Sequence, residues 1–162
     1  TDRNGNKNTE TVAVEADDNG TPVIGVYVAA RYAFPVDVAL DTSSIGGPSA
    51  GLAMTLSIVD LLTPGELTGG QTVAITGTIS DDGAVGEIGG LSQKTVAARA
   101  ADATLFIVPA CSNESIRVSC EADLARARDR AGDLVIVPVA TLDDALQALE
   151  AAGGDPLQTV DP

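Results

Sequence analysis

The chain has 162 residues, 44% of them hydrophobic but only 2% aromatic, which fits one compact domain with a core of Val, Ile, Leu and Ala. A formal charge of −14 repels phosphate backbones and argues against nucleic acid as a partner. There is no histidine, which removes Ser-His-Asp and Cys-His catalysis and most catalytic zinc sites, and no apolar run nears the roughly 20 residues of a membrane span.

The opening TDRNGNKNTE is polar, has no signal-peptide character, and reads as a cut inside a longer protein. Residues 8–16 and 23–30 read as strands around the DDNGTP turn signal, and FPVDVAL at 34–40 alternates like a third. DTSSIGGPS is a Ser- and Gly-rich loop that leads into a buried helix over about 48–62. Residues 71–79 and 84–88 are expected to pair across the Asp81-Asp82-Gly83 turn. A helix over 92–103, a short buried strand over 104–110 and a loop holding Cys111 and Cys120 follow. Helix 122–132, strand 134–140 and helix 141–153 complete the pattern, the last with a capping box from Thr141 and Asp144. The tail over 154–162 is expected to be disordered. A strand-rich first half and an alternating second half make the fold class mixed α/β (α+β).

The chemistry concentrates at two places. In Gly46-Gly47-Pro48-Ser49-Ala50-Gly51, small neighbours leave the Ser49 hydroxyl unobstructed, and Pro48 suits the first turn of a helix. Ser49 would then sit among unpaired N–H groups at the positive end of a helix, which is what a tetrahedral oxyanion needs. The plainer alternative is an ordinary helix-starting serine. The chain has only two lysines, Lys7 and Lys94, against seven arginines. Lysine can act as a base when neutral, whereas arginine stays protonated. Lys94 is placed in the first turn of a helix, where the dipole and partial burial both disfavour an ammonium. Its alternative is a lysine with its stem on the surface and its head in water. Taken together, Ser49 and Lys94 have the parts of a Ser-Lys dyad.

Other motifs fail. GEIGGLSQKT lacks both glycines of a phosphate-binding loop, and Leu52 stands where a Ser-x-x-Lys box needs its lysine. The carboxylates are scattered singly and read as solvated surface. No cofactor and no metal site is indicated. Cys111 and Cys120 would pair in a secreted domain and remain thiols in a cytosolic one.

GGPSAG, then TGTISDDGAVGEIGGLSQKTVAA, then a strand ending in IVPA resemble the proteolytic domain of the Lon protease family, in order and spacing over about residues 24–150. The resemblance implies a serine endopeptidase in which Ser49 attacks the peptide carbonyl and Lys94, 45 residues later, is base and then acid. It implies that Thr76 orients the lysine, and that the backbone at Gly47, Pro48 and Ser49 forms the oxyanion loop. Gly46 stands where many members carry an acidic residue. GVYVAARYAFPVDVALDTSSIGGPSAG is similar to a membrane-anchored, PDZ-bearing branch of Gram-positive bacteria that has no ATPase module. On that resemblance, residues 1–20 are the end of a PDZ-like domain and its linker, 21–153 the proteolytic domain and 154–162 the tail. It further implies ATP-independent hydrolysis of unfolded or membrane-proximal polypeptides and a six-membered homo-oligomeric ring. The parent would lie on the extracytoplasmic face of the membrane, held only by an N-terminal anchor outside this sequence. A Cys111–Cys120 disulfide is consistent with that location. Two other functions stay open: a catalytically silent domain serving binding or assembly, and a Ser-Lys amidase or esterase for small molecules.

Overall fold

The computed structural model describes Lys7, Thr9 and residues 11–24, 36–43 and 47–158. The chain divides into two units, Thr1–Asp37 and Val38–Pro162. In the first, β1 (Glu15–Ala16) pairs antiparallel with β2 (Pro22–Val23). Asp17 closes the turn, its Oδ1 accepting from Asn19 N at 2.9 Å and Thr21 N at 2.8 Å. The strand expected over 23–30 falls mostly on residues outside those described. The strand expected over 34–40 is corrected, because residues 36–40 carry no regular secondary structure. Val36, Val38 and Leu40 are each more than two-fifths exposed, so the alternation there has no face to bury.

The second unit is organised by a parallel sheet in the order β3 (Val73–Ile75), β6 (Leu105–Pro109), β7 (Val135–Val139). Register runs Val73↔Leu105 on one side of β6 and Leu105↔Val135 on the other. Every residue of β6 is buried. Successive side chains of a strand point to opposite faces. Leu105 and Ile107 join the cluster containing Leu52 and Leu56 of α1 (Gly51–Leu62) and Ala145 and Leu149 of α4 (Leu142–Ala151). Phe106 and Val108 join Leu91 and Ala98 of α2 (Leu91–Ala100) and Leu124 and Ala127 of α3 (Arg117–Ala131). Helices therefore cover both faces, which is why β6 reads as an unbroken apolar run rather than an alternating one. Each buried Leu, Ile, Val or Phe among them stabilises the fold by about 1.5–3 kcal/mol. The architecture is mixed α/β, as the sequence pattern implied.

Three boundaries differ from expectation. The single strand over 71–79 is two: β3 ends at Ile75, and β4 (Thr78–Ile79) instead pairs antiparallel with β5 (Val85–Gly86). α2 ends at Ala100 because Asp102 takes a left-handed conformation at φ 55°, which a short polar side chain tolerates. α3 begins at Arg117, so Cys120 lies in a helix rather than in a loop. Its first turn has no side-chain cap and no apolar stripe, so nothing in that stretch signalled a helix. The Thr141–Asp144 capping box is present as expected. In the tail, Gly154 N donates to Leu149 O and Asp155 N to Glu66 O, each at 3.0 Å.

Candidate active site

Pro48–Ala50 form one turn of 3-10 helix that runs directly into α1, with Pro48 in its first position and Gly47 before it at φ 76°. A left-handed φ favours glycine at that entry. Ser49 is thereby lifted onto the amino end of a two-part helix. Its N–H falls in the first turn, where amides have no intrahelical acceptor.

The Thr76–Gly77 break fixes this turn to the sheet. Thr76 N donates to Ile107 O at 3.0 Å, continuing the β3–β6 ladder by one residue. The Thr76 side chain, only 3% exposed, donates from Oγ1 to Ser49 O at 3.1 Å. Gly77 N donates to the same carbonyl at 2.9 Å, and Leu52 N donates to Gly77 O at 3.1 Å. A Cβ on Gly77 would come within 2.9 Å of Val85 Cγ1, so the close approach requires glycine. Gly51 is also confined, its missing Cβ lying 3.3 Å from Ile79 Cγ2.

Lys94 sits at the end of the first turn of α2, its N donating to Gly90 O at 3.0 Å. Gly90 enters the helix at φ 71°. The half-buried side chain extends to Ser49, with Nζ donating to Oγ at 3.3 Å. This separation is near the range for proton transfer, which loosens when no substrate is bound. One face of α2 faces the core through Leu91, Thr95 and Ala98, and Thr95 satisfies its buried hydroxyl on Leu91 O at 2.9 Å. The helices that carry Ser49 and Lys94 thus belong to the two different clusters flanking β6.

Of the residues singled out in the sequence, Gly47, Pro48, Ser49, Thr76 and Lys94 come together. Thr76 bonds the backbone of Ser49. Cys111 and Cys120 are joined in a disulfide, with Cα atoms 5.6 Å apart, and Cys120 borders a cavity beside the amino end of α2. Gly46 lies outside the described residues. Two contributors went unread in the sequence. Gly77 carried a signal, since an isolated glycine within a strand pattern marks close backbone approach. Glu87, read as solvated surface, has Oε1 buried with no hydrogen-bond partner among the described residues; Ser92 Oγ is in the same state.

Among the described residues, three carboxyls are held below the usual carboxylate range, all in turns or helix caps. Asp41 is stabilised by the Ser43 side chain, then by the Ser43 backbone N–H. Asp82 is stabilised first by the Ser80 hydroxyl, and Asp144 first by the Ala140 N–H. Among the described residues no group of three or more Cys, Asp or Glu could hold a metal ion, and no helix is long and apolar enough to cross a membrane.

Residues 36–150 match the family model described as the Lon protease (S16) C-terminal proteolytic domain. A Lon protease of Azospirillum brasilense is 36% identical over 117 residues, which is 72% of this chain and 13% of that protein. A Lon protease of Xanthomonas oryzae is 38% identical over 105 residues, covering 64% of this chain and 11% of its own length. A mitochondrial Lon protease homolog of Emericella nidulans is 47% identical over 64 residues, 40% of this chain and 6% of that protein. The chain therefore spans only a small fraction of the relatives it matches. Since the family model covers more than half of it, the chain belongs to the Lon protease family as a C-terminal proteolytic domain of the S16 type.

Proposed function

We propose that the domain is a serine endopeptidase working through a Ser49–Lys94 dyad. The observation that carries this reading is the 3.3 Å approach of Lys94 Nζ to Ser49 Oγ in a chain that has no histidine. In the first step neutral Lys94 accepts the Ser49 proton as Oγ attacks the carbonyl carbon of the scissile peptide. The resulting oxyanion is met by the Ser49 N–H at the start of the helix. Lys94 then passes its proton to the departing amine nitrogen as the C–N bond breaks, leaving an acyl group on Ser49. Water, deprotonated by Lys94, attacks the ester; the proton returns to Ser49 Oγ and the carboxylate product leaves. Thr76 positions the nucleophile through the Ser49 carbonyl. Its hydroxyl keeps lone pairs that can accept from Lys94, the orienting role that the family resemblance implies.

The parent is read as a PDZ-bearing, membrane-anchored member that cleaves unfolded or membrane-proximal polypeptides without ATP, outside the cytoplasm and as a homo-oligomeric ring. The Cys111–Cys120 disulfide supports an oxidising compartment, where such bonds persist.

The test is peptide hydrolysis by the parent chain, Lys94→Arg and Ser49→Ala, with denaturant unfolding of each. Both variants are expected to stay folded and lose turnover, because a guanidinium cannot supply a neutral base. Turnover retained in Lys94→Arg would sink the dyad.

A further inference from the structure

A cavity of about 370 Å³ opens where the β5–α2 connection meets the amino end of α3. Its size falls within the range of small-ligand sites, so it has room for an extended side chain. It shares an element with the dyad. Leu91 lines it, and Lys94 is three residues further along α2, on the same side of the helix and roughly 4.5 Å along its axis. Gly90, whose carbonyl receives the Lys94 N–H, directly follows the Glu87–Gly89 wall.

The lining combines two chemistries. Ile88, Leu91, Pro109 and Ile116 are apolar, and Cys120, capped in its disulfide, carries no thiol. Two carboxylates also border the cavity, Glu87 and Asp123. Asp123 is already ion-paired with Arg126. Glu87 is not committed, since its Oε1 is buried without a partner among the described residues. Burying a carboxylate oxygen without a donor is costly, and an incoming cation removes that cost. An apolar lining that also holds an unpaired acceptor is complementary to a methylene stem ending in a charged donor. Acidic side chains would be repelled, and neutral aliphatic ones would leave Glu87 unsatisfied.

We infer that this cavity is the specificity pocket of the peptidase and takes a lysine or arginine side chain of the substrate, with Glu87 as its recognition group. The inference rests on the dyad reading for its role in catalysis, while the pocket's selectivity can be measured without turnover.

Nα-acetyl-lysine amide, Nα-acetyl-norleucine amide and Nα-acetyl-glutamate amide would be titrated into the isotope-labelled chain and followed by NMR at the amides of Ile88, Leu91 and Ile116. In parallel, quenched peptides differing only in one Lys, norleucine or Glu would be scored for kcat/KM with the parent chain and with Glu87→Gln. The expected result is saturable shifts at those amides, with lysine at least tenfold tighter than norleucine and glutamate weakest. The same order is expected in kcat/KM, and Glu87→Gln should collapse the lysine-to-norleucine ratio to within about threefold. Equal binding of lysine and norleucine by the parent chain, or lysine shifts confined to other amides, overturns the inference whatever the variant does. Selective binding with no cleavage of any peptide upholds the pocket and refutes the peptidase reading. Cleavage with no preference for the basic peptide upholds the peptidase and refutes the pocket.

Discussion

Replacing Thr76 by Val removes one hydroxyl and keeps the branched shape. Among the described residues that hydroxyl makes one hydrogen bond, 3.1 Å to Ser49 O. The carbonyl is not orphaned by its loss, because Gly77 N still donates to it at 2.9 Å. The stability cost should therefore be that of one net hydrogen bond, about 0.5–1.5 kcal/mol, and not the larger penalty of an unsatisfied buried acceptor. Catalysis should suffer more. A displacement of roughly 1 Å at a reacting atom can cost on the order of a hundredfold in rate, and Thr76 and Gly77 both hold the Ser49 carbonyl. The assay is kcat for a peptide substrate alongside urea unfolding with m held as a free parameter. The expected outcome is a small shift in midpoint, a rate reduced ten- to a hundredfold, and recovery of most of that rate in Thr76→Ser. A rate unchanged in Thr76→Val would refute the positioning argument. So would a stability loss large enough to account for the rate by unfolding.

Two further outcomes follow from local geometry. Breaking the Cys111–Cys120 link, by reduction or by paired serine substitution, should lower stability by about 2–3 kcal/mol, as expected for a loop spanning nine residues, measured as a fall in midpoint at constant m. Asp144 is held below its ordinary range first by the Ala140 N–H and then by Thr141, so its folded-state value lies under its unfolded one. Its contribution is complete above about pH 4 and is lost as pH falls through the lower folded value. Asp144→Asn should accordingly flatten the acid limb of the stability profile below about pH 4, while the parent stays steeper.

Some of this was legible in the residues and some was not, for reasons that lie in particular positions. Ser49 and Lys94 stood out because the chain lacks histidine and uses arginine almost everywhere else, so the rare lysine carried information. β6 was legible because a strand buried on both faces has to be apolar throughout. The split after Ile75 was not, since VAITGTI is rich in β-branched residues on both sides of the break and only tertiary contact with Ser49 and Leu52 decides where pairing changes partner. The start of α3 was hidden for the opposite reason: Asn113 and Ser115 make a turn, and the buried residues of the helix, Leu124, Ala127 and Ala131, all lie in its second half. Glu87 was passed over because a lone carboxylate is usually solvated, and burial of one of its oxygens depends on what α3 brings near it.

The placement of the helices that carry Ser49 and Lys94 has a mechanical consequence. α1 is seated on the Leu105–Ile107 side of β6 and α2 on the Phe106–Val108 side, so the gap between Ser49 and Lys94 measures the relative offset of two layers held apart by the three-stranded sheet. It works as a caliper spanning the sheet. Trimming a side chain in either layer, such as Leu56 or Leu124, can open or close its jaws without touching either reacting group. Loss of activity in such a variant would report a shift of one layer against the other. Restoring the volume from the far side of the same layer should bring the jaws back together.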